Sequence, residues 1–244
     1  MPQIEDWLWS YLSPSWKLSS GVVVKLSDRS DWINFGDLFV NGEYDKAIAG
    51  GLREVSLSDT IQVVDLGANT GGFYLRFLHI YLLDGCAFNV RYTAVEPNPK
   101  CLARFAENFN ANQDPRIKVR IIEGLVGLRQ GQALFEPDDF HIGSRVVQVS
   151  AGHLVQKLPY IDLIQELPDG PIALLKVDIE GSEELFLGEY HDLLKRTQNL
   201  IIEIHGNLCD AEVCREKIGA AGLESAHVFN ATEHYTLELY RRSH

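Results

Sequence analysis

Short apolar runs alternate with amphipathic stretches along most of the chain after residue 60. Several of the runs are apolar almost throughout, which is typical of strands that are buried on both faces of a parallel sheet. We predict strands of this kind at residues 61–66, 90–96, 117–122, 172–178 and 200–204. Between them, the spacing of apolar residues predicts helices at residues 73–83, 100–110 and 209–220, and a short helix from Ser182. This alternation indicates an α/β fold with helices on both faces of the sheet.

Two further β-type runs, at residues 223–229 and 235–240, are separated by a short gap. They predict an antiparallel pair that closes the sheet. A glycine-dotted region from 123 to 150 contains the runs 133–136 and 146–149, which predict a β excursion outside the main sheet.

The first strand runs into a glycine-rich loop that opens a helix, and residues 64–73 read VDLGANTGGF. Ligands in such folds bind at the carboxyl ends of the strands, and Gly67 and Gly71 let the backbone approach a ligand closely. We expect the carboxylate of Asp65 to point into this crevice. The glycine spacing differs from the G-x-G-x-x-G of dinucleotide loops, and a carboxylate here would repel a pyrophosphate. The loop suits a ligand with an ammonium group and a sulfonium, such as S-adenosylmethionine.

Glu96 ends the second strand, where a carboxylate can accept hydrogen bonds from both hydroxyls of a ribose. Dinucleotide enzymes use a carboxylate in the same way, so Glu96 by itself does not choose between the two ligands. Its combination with Asp65 and the glycine spacing favours S-adenosylmethionine. The predicted cofactor-binding residues are Asp65, Gly67, Ala68, Asn69, Gly71 and Glu96.

Three segments resemble motifs of class I methyltransferases, namely residues 64–71 (VDLGANTG), 94–99 (AVEPNP) and 174–183 (LLKVDIEGSE). The third segment narrows the resemblance to the FkbM family, and residues 160–163 and 200–205 support it. The resemblance extends over roughly residues 33 to 240.

The FkbM resemblance implies a Rossmann-like, seven-stranded methyltransferase sheet that is mostly parallel with an antiparallel closing strand. It also implies S-adenosylmethionine as the cofactor and O-methylation of a hydroxyl on a sugar, a macrolide or another natural product. By the same resemblance, Tyr44, Phe73, Pro97 and Asp178 join the expected cofactor-binding residues.

Alternating polar residues mark the carboxyl ends of two strands. Lys176, Asp178 and Glu180 lie on one side of the fourth strand if it continues that far, and Asp178 then reaches the crevice. In the alternative, Asp178 and Glu180 cap the helix that follows. Glu203 and His205 share a face at the end of the fifth strand.

A hydroxyl is a weak nucleophile near neutral pH, so its methylation needs a base or a metal. We predict Asp178, His205 and Glu203 as the catalytic residues, with His205 as the base and Glu203 behind it. Asp178 has three alternative roles: to orient the imidazole, to hold a metal, or to lie against the sulfonium. The alternative for His205 is a structural hydrogen bond to the backbone.

Mg²⁺ is a candidate metal, because Asp178, Glu203 and His205 together offer ligands for a divalent cation. Zinc at His205, Cys209 and Cys214 is less well supported. Both cysteines fall in a helical pattern, and the sequence has no second ligand pair of standard spacing.

The N-terminal segment is built differently from the rest, because its first 32 residues contain all four tryptophans, Trp7, Trp9, Trp16 and Trp32. An aromatic amphipathic start is followed by the β-type run 22–24 and a helical pattern at 44–55. We therefore divide the chain into an aromatic-rich extension, residues 1–55, and a methyltransferase domain, residues 56–244. The aromatic residues are expected to cover the core, to form the contact surface of a homo-oligomer, or to close over the acceptor.

The formal net charge of −12 disfavours nucleic acid as a partner, because phosphates repel an acidic surface. The four cysteines do not suggest a disulfide framework. No apolar stretch is long enough for a transmembrane helix, and residues 1–6 lack the charge pattern of a secretory signal. We therefore expect a cytoplasmic protein, without membrane or nucleic-acid partners, that acts on a small-molecule hydroxyl acceptor.

Two other functions stay open at this point. One is an NAD(P)-dependent oxidoreductase on a Rossmann-type fold, which the glycine spacing disfavours. The other is a cofactor-binding partner protein without catalytic activity.

Overall fold

The computed structural model describes residues 9, 11–12, 14–53, 60–136, 145–147 and 156–243 of the chain. The strands are β1 (Ser15–Lys17), β2 (Val23–Lys25), β3 (Thr60–Leu66), β4 (Asn89–Glu96), β5 (Ile117–Glu123), β6 (Gln132–Glu136), β7 (Arg145–Val147), β8 (Gln156–Pro159), β9 (Leu174–Val177), β10 (Asn199–Ile204), β11 (Leu223–Ala231) and β12 (Thr236–Arg242). The α-helices are α1 (Arg29–Phe35), α2 (Asp45–Arg53), α3 (Gly72–Leu83), α4 (Pro99–Ala111), α5 (Leu163–Glu166), α6 (Glu183–Glu189), α7 (His191–Lys195) and α8 (Ala211–Ala220). A π-helix, Gly36–Asn41, joins α1 to the segment before α2.

A seven-stranded sheet organises these elements in the order β11-β12-β10-β9-β3-β4-β5. Its neighbouring strands are parallel, except that β12 runs antiparallel to both β10 and β11. The predicted α/β fold, with a mostly parallel sheet and an antiparallel closing strand, is confirmed. None of the helices in the described ranges is long and apolar enough to cross a membrane.

Each face of the sheet is covered by its own hydrophobic core. Successive residues of β3 enter opposite cores, with Val63 in one and Val64 in the other, as the two-residue repeat of a strand requires. Helices α2 and α3 pack in the first core, and α6, α7 and α8 pack in the second. The carboxyl ends of β3, β4, β9 and β10 therefore meet at one edge of a sheet that is buried on both faces.

The N-terminal segment packs onto the sheet rather than standing apart from it. Val22, Val24 and Leu26 are buried in the same core as α2 and α3. From Phe35 in this core, a chain of aromatic contacts with centroid separations of 5.1–6.1 Å extends to Phe39, Trp16 and Trp32. Trp32 stays 48% exposed, so the cluster is only partly covered.

The division at residue 55 and the homo-oligomer remain predictions. Most of the aromatic amphipathic start, including Trp7, lies outside the described residues, as do residues 54–59 at the predicted division. The β excursion of the glycine-dotted region is a small sheet in the order β7-β6-β8, while residues 148–149 of its second predicted strand lie outside the described part.

Two predicted boundaries are wrong at the functional edge. The strand predicted at 172–178 is shorter, because β9 ends at Val177 and the chain then turns through Glu180 and Gly181, both at positive φ. The alternation of Lys176, Asp178 and Glu180 on one strand face therefore does not hold. The helix predicted from residue 209 begins at Ala211, because the Asp210 carboxylate accepts the first backbone N–H groups as an N-cap.

The turn after β3 approaches the segment after β9 so closely that only glycine fits. Gly67 has a φ of +75°, and a Cβ atom at this position would lie 1.6 Å from the carbonyl oxygen of Asp178. The contact brings two loops together at the carboxyl edge of the sheet. Gly85, which follows α3, also has a positive φ of +63°, but a Cβ atom there would meet nothing within 4 Å.

Gly67→Ala is expected to lower the free energy of unfolding by roughly 3 kcal/mol or more, because backbone strain and a steric clash add. Gly85→Ala is the matched control, because it carries the left-handed strain without the clash and should cost about 1–2 kcal/mol. Urea denaturation of the three proteins measures the difference. An equal loss in both variants would contradict the close approach of the two loops.

Candidate active site

The glycine-rich loop between β3 and α3 is held in place by Glu96 at the end of β4. The Glu96 carboxylate accepts the backbone N–H of Asn69 at 2.9 Å and that of Asn98 at 2.8 Å. Asn69 has a φ of +48°, and its neighbour Thr70 is held through its carbonyl by the side chain of Asn108 at 2.8 Å. Burial raises the pKa of Glu96 to about 7, although both backbone N–H groups oppose the shift.

Lys176 of β9 lies buried beneath the same loop. Its ammonium donates to the carbonyl oxygen of Gly67 at 2.6 Å and lies 3.4 Å from Asp65 and 3.2 Å from Asp178. Burial by itself would lower the pKa of Lys176, but the charges of Asp178 and Asp65 outweigh it and hold that pKa above its ordinary value. The sequence assigned no role to this lysine.

The expectation that Asp65 points into the crevice is wrong. Its side chain is fully buried beneath the loop, where it accepts a hydrogen bond from the Tyr92 hydroxyl at 2.7 Å and faces Lys176. Burial raises the pKa of Asp65, while Lys176 and Tyr92 oppose the shift. The geometry makes Asp65 a support for Lys176, because its carboxylate lines neither of the hollows at this edge.

Gly71 also lies away from the crevice. It is the N-cap of α3 with a φ of +86°, and a Cβ atom there would lie 2.9 Å from the ring of Phe105. Its positive φ and its packing against α4 account for glycine at this position.

A narrow hollow of about 60 Å³ lies on one side of the loop. Glu96 and Pro97 line it together with Gly67 and Asn69. The other walls are largely apolar, and they include Val95, Leu125, Val126 and Phe135. The hollow is a slot that is apolar on one part of its wall and carries the carboxylates of Glu96, Asp178 and Glu180 on the rest.

A larger cavity of about 430 Å³ adjoins the slot, and Gly67, Asn69, Asp178 and Glu180 line both. The predicted residues Tyr44, Ala68 and Phe73 line this cavity, and the rings of Tyr44 and Phe73 meet edge to face at 5.3 Å. Eight of the ten predicted cofactor-binding residues therefore line one of the two hollows: Tyr44, Gly67, Ala68, Asn69, Phe73, Glu96, Pro97 and Asp178.

The three predicted catalytic side chains come together at the wall of the larger cavity. Ligand atoms of Asp178, Glu203 and His205 all lie within 4.8 Å of one another. Nε2 of His205 is 3.4 Å from Glu180 and 3.8 Å from Glu203. Glu203 was expected behind His205, but it lines the cavity beside it.

Glu183, in the first turn of α6, orients the imidazole. Its carboxylate is fully buried and lies 2.9 Å from Nδ1 of His205, so Nδ1 is occupied and Nε2 faces the other carboxylates. The sequence assigned this role to Asp178 among its alternatives, and it missed Glu183. The only available signal was the position of Glu183 in the LLKVDIEGSE segment.

The carboxylates strongly favour the protonated form of His205. Burial lowers the pKa of His205, but the hydrogen bond to Glu183 and the charges of Glu183, Asp178 and Glu180 raise it to about 10. The pKa values of Glu203 and Glu180 are raised as well, first by burial and then by the charge of Asp178. Before any ligand binds, His205 is therefore a cation that neutralises part of this acidic group.

Further residues complete the wall of the larger cavity. Asp37, Glu43, His234 and Tyr235 line it, although no local motif marked them in the sequence. Burial raises the pKa of Tyr235 to about 12, and the charges of Glu203 and Glu43 add to the effect. The lining of the cavity is therefore rich in acidic side chains.

Zinc at His205, Cys209 and Cys214 finds no support in the geometry. The thiols of Cys209 and Cys214 lie 3.9 Å apart, but neither joins the group of potential metal ligands among the described residues. Nδ1 of His205 is occupied by Glu183, and Cys209 contacts the second oxygen of the same carboxylate at 3.7 Å.

Residues 65–228 match the family model described as the methyltransferase FkbM domain, which covers more than half of the chain. The chain belongs to the FkbM methyltransferase family. Its sheet is accordingly a Rossmann-like methyltransferase sheet, and the family membership argues against the oxidoreductase alternative. No curated protein matches the sequence.

Solved structures of methyltransferases have a similar fold. The FkbM methyltransferase from Methylobacillus flagellatus is 14% identical with a TM-score of 0.51, over 85% of this chain and 60% of that chain. A class I S-adenosylmethionine-dependent methyltransferase from Listeria monocytogenes is 7% identical with a TM-score of 0.48, over 84% of this chain and 60% of that one. This chain thus spans 60% of the length of either protein.

We expect Glu183→Gln to lower the pKa of His205 by about 1–3 units, because the variant removes the opposite charge closest to the imidazole. Glu184→Gln is the control, since the neighbouring Glu184 carboxylate faces Lys217. NMR titration of the His205 ring measures the shift.

The same pKa predicts a pH dependence of stability. The folded state holds the His205 proton more tightly than an ordinary histidine with a pKa of 6.5, so this stabilisation is complete below about pH 6.5. It is lost as the pH rises through about 10. Between pH 6 and pH 10, the free energy of unfolding should therefore fall less for Glu183→Gln than for the native protein, as denaturation at the two pH values measures. An unchanged His205 pKa in Glu183→Gln would rule out the orienting role of Glu183.

Proposed function

We propose that the protein O-methylates a hydroxyl of a small molecule, such as a sugar, a macrolide or another natural product. The observation that carries this proposal is the buried His205–Glu183 pair. Its second ring nitrogen, Nε2, lies beside Glu180 and Glu203 at the wall of a cavity of about 430 Å³ next to the cofactor loop. A cavity of this size leaves room for an acceptor next to the methyl donor.

The cofactor fits the two hollows in one orientation. The apolar part of the slot, formed by Val95, Leu125, Val126 and Phe135, suits the adenine ring. Glu96 could accept hydrogen bonds from the ribose hydroxyls, because each of its oxygens keeps a second lone pair. Gly67 and Asn69 line both hollows, so they would bind the cofactor between its ribose and its methionine end. There the negative charge of Asp178 favours the sulfonium.

Methyl transfer is an in-line displacement, in which the acceptor oxygen attacks the methyl carbon and the sulfonium leaves as a neutral thioether. His205 is the base that takes the hydroxyl proton at Nε2, while Glu183 stabilises the resulting imidazolium through Nδ1. A protonated His205 cannot act as a base. The positive charge of the cofactor beside Asp178 offsets the carboxylates that hold the proton, and so lowers the pKa of His205 towards neutrality.

Mg²⁺ is a second means of activating the hydroxyl, and one observation favours it. Asp178, Glu203 and His205 present oxygen and nitrogen ligands within 4.8 Å of one another, a set that suits a divalent cation. These residues would hold the metal, which would lower the pKa of the acceptor hydroxyl. Loss of methylation with a chelator, and its recovery with added Mg²⁺, would assign the activation to the metal.

Glu96→Ala should weaken the binding of S-adenosylhomocysteine roughly 10-fold or more, because charged hydrogen bonds contribute about 1.5–3 kcal/mol each. Glu123→Ala is the matched control, since Glu123 pairs with Glu96 across β4 and β5 but is exposed. Calorimetry on both variants measures the effect. Unchanged affinity in Glu96→Ala would refute the ribose site.

His205→Gln should lower the single-turnover rate by roughly 10²-fold or more and leave cofactor affinity nearly unchanged, because it removes the base. His191→Gln, on α7, is the control. The measurement is S-adenosylhomocysteine formation across pH with a panel of sugar and macrolide alcohols. The native rate should rise with pH as His205 deprotonates.

Near-native rates in His205→Gln would remove this residue as the base. If no alcohol in the panel gave product above the background without acceptor, the result would favour the non-catalytic alternative.

A further inference from the structure

A groove of about 520 Å³, separate from the slot and the larger cavity, lies between α2 and the β11–β12 hairpin. Lys46 and Arg53 of α2 line one side, and His227 of β11 and Arg241 of β12 line the other. None of these residues lines the two cofactor hollows. The groove is basic in a chain whose formal net charge is −12.

Arg241 is the unusual member of this groove. Its Nε atom is buried and has no hydrogen-bond partner among the described residues. Room for its guanidinium exists because α2 carries a glycine there, and a Cβ atom at Gly50 would lie 2.6 Å from Nη2 of Arg241. A buried N–H of a charged group without a partner is costly, so an acceptor that reached this guanidinium would stabilise it.

The groove itself offers little negative charge to compensate. Among the described residues, Asp45 is the one acidic residue that lines it, and its carboxylate is already bound by Arg76 through two hydrogen bonds of 2.6 and 2.5 Å. The Lys46 ammonium donates to Nε2 of His227 at 3.2 Å. This contact is to an imidazole and not to a carboxylate, so it leaves the positive charge of Lys46 uncompensated. Glu224 lies opposite Arg241 in the strand pairing, but it is exposed and does not line the groove.

We infer that this groove binds a small oxyanion, such as a phosphate group that is free or carried by a small molecule. The planar guanidinium of Arg241 supplies paired donors for two oxygens of the anion, and Lys46 and Arg53 add positive charge at the open side. A long polyanion is disfavoured, because the acidic remainder of the surface would repel it. The inference is independent of methyl transfer, since the groove shares no lining residue with the cofactor hollows.

Calorimetry of the full chain with pyrophosphate and with inorganic phosphate tests the inference, with sodium chloride at matched ionic strength as the reference. We expect saturable binding to the native protein and at least 10-fold weaker binding to Arg241→Gln. Lys118→Gln is the matched control, because it removes one charge from the exposed face of β5, at the opposite edge of the same sheet. The affinity of Lys118→Gln for pyrophosphate should stay within about 2-fold of the native value.

Thermal unfolding gives a second readout. Pyrophosphate should raise the Tm of the native protein and of Lys118→Gln, and it should raise that of Arg241→Gln much less. If Arg241→Gln does not fold, the double variant K46Q/R53Q replaces it, with the same expected loss of affinity. The inference is overturned if the native protein shows no saturable binding beyond chloride, if Arg241→Gln binds as well as the native protein, or if Lys118→Gln loses as much affinity.

Discussion

The buried ammonium of Lys176 is the contact on which the functional edge depends. It neutralises Asp65 from below and Asp178 from the side, and it fixes the glycine loop through the carbonyl oxygen of Gly67. Without this cation, two carboxylates would face each other across a region with little access to water, which is unfavourable. The close contact between Gly67 and Asp178 follows from the same arrangement, because the lysine draws both loops together.

Lys176 does not neutralise the whole cavity. Asp178, Glu180 and Glu203 line it beside His205, and the carboxylates of Asp37 and Glu43 line it as well. This surplus of carboxylates has two consequences. It attracts a positively charged ligand such as a sulfonium, and it keeps His205 protonated until such a ligand arrives. The preference for the cofactor and the state of the proposed base therefore have one electrostatic cause.

Helix α2 separates regions of opposite charge. Tyr44, just before the helix, lines the acidic cavity, whereas Lys46 and Arg53 within it line the basic groove on the other side. The Asp45–Arg76 ion pair ties the start of this helix to α3. The two proposed sites thus use different side chains held by one packed element.

The sequence by itself determined the parts that depend on local order along the chain. Hydrophobic runs and helical spacing located the seven strands of the sheet and the main helices, since burial on two faces requires such runs. The position of each run in the sequence also showed that Glu96, Asp178, Glu203 and His205 come at or just after strand ends. Parallel strands bring their carboxyl ends to one edge of the sheet, so these residues were expected together. The motifs were sufficient to identify the family, because the loop, the second strand end and the LLKVDIEGSE segment are each contiguous.

Only the tertiary structure decided which side chains meet. The direction of Asp65 depends on Lys176, a residue of another strand, so the local pattern placed its carboxylate on the wrong side. The partner of His205 is Glu183 on α6, because β9 ends early and the turn at Glu180 and Gly181 carries that helix towards β10. Arg241 and Gly50 lie far apart in the chain and form one groove only after α2 packs against β12. Contacts of this kind depend on how whole elements pack, and hydrophobic periodicity does not encode them.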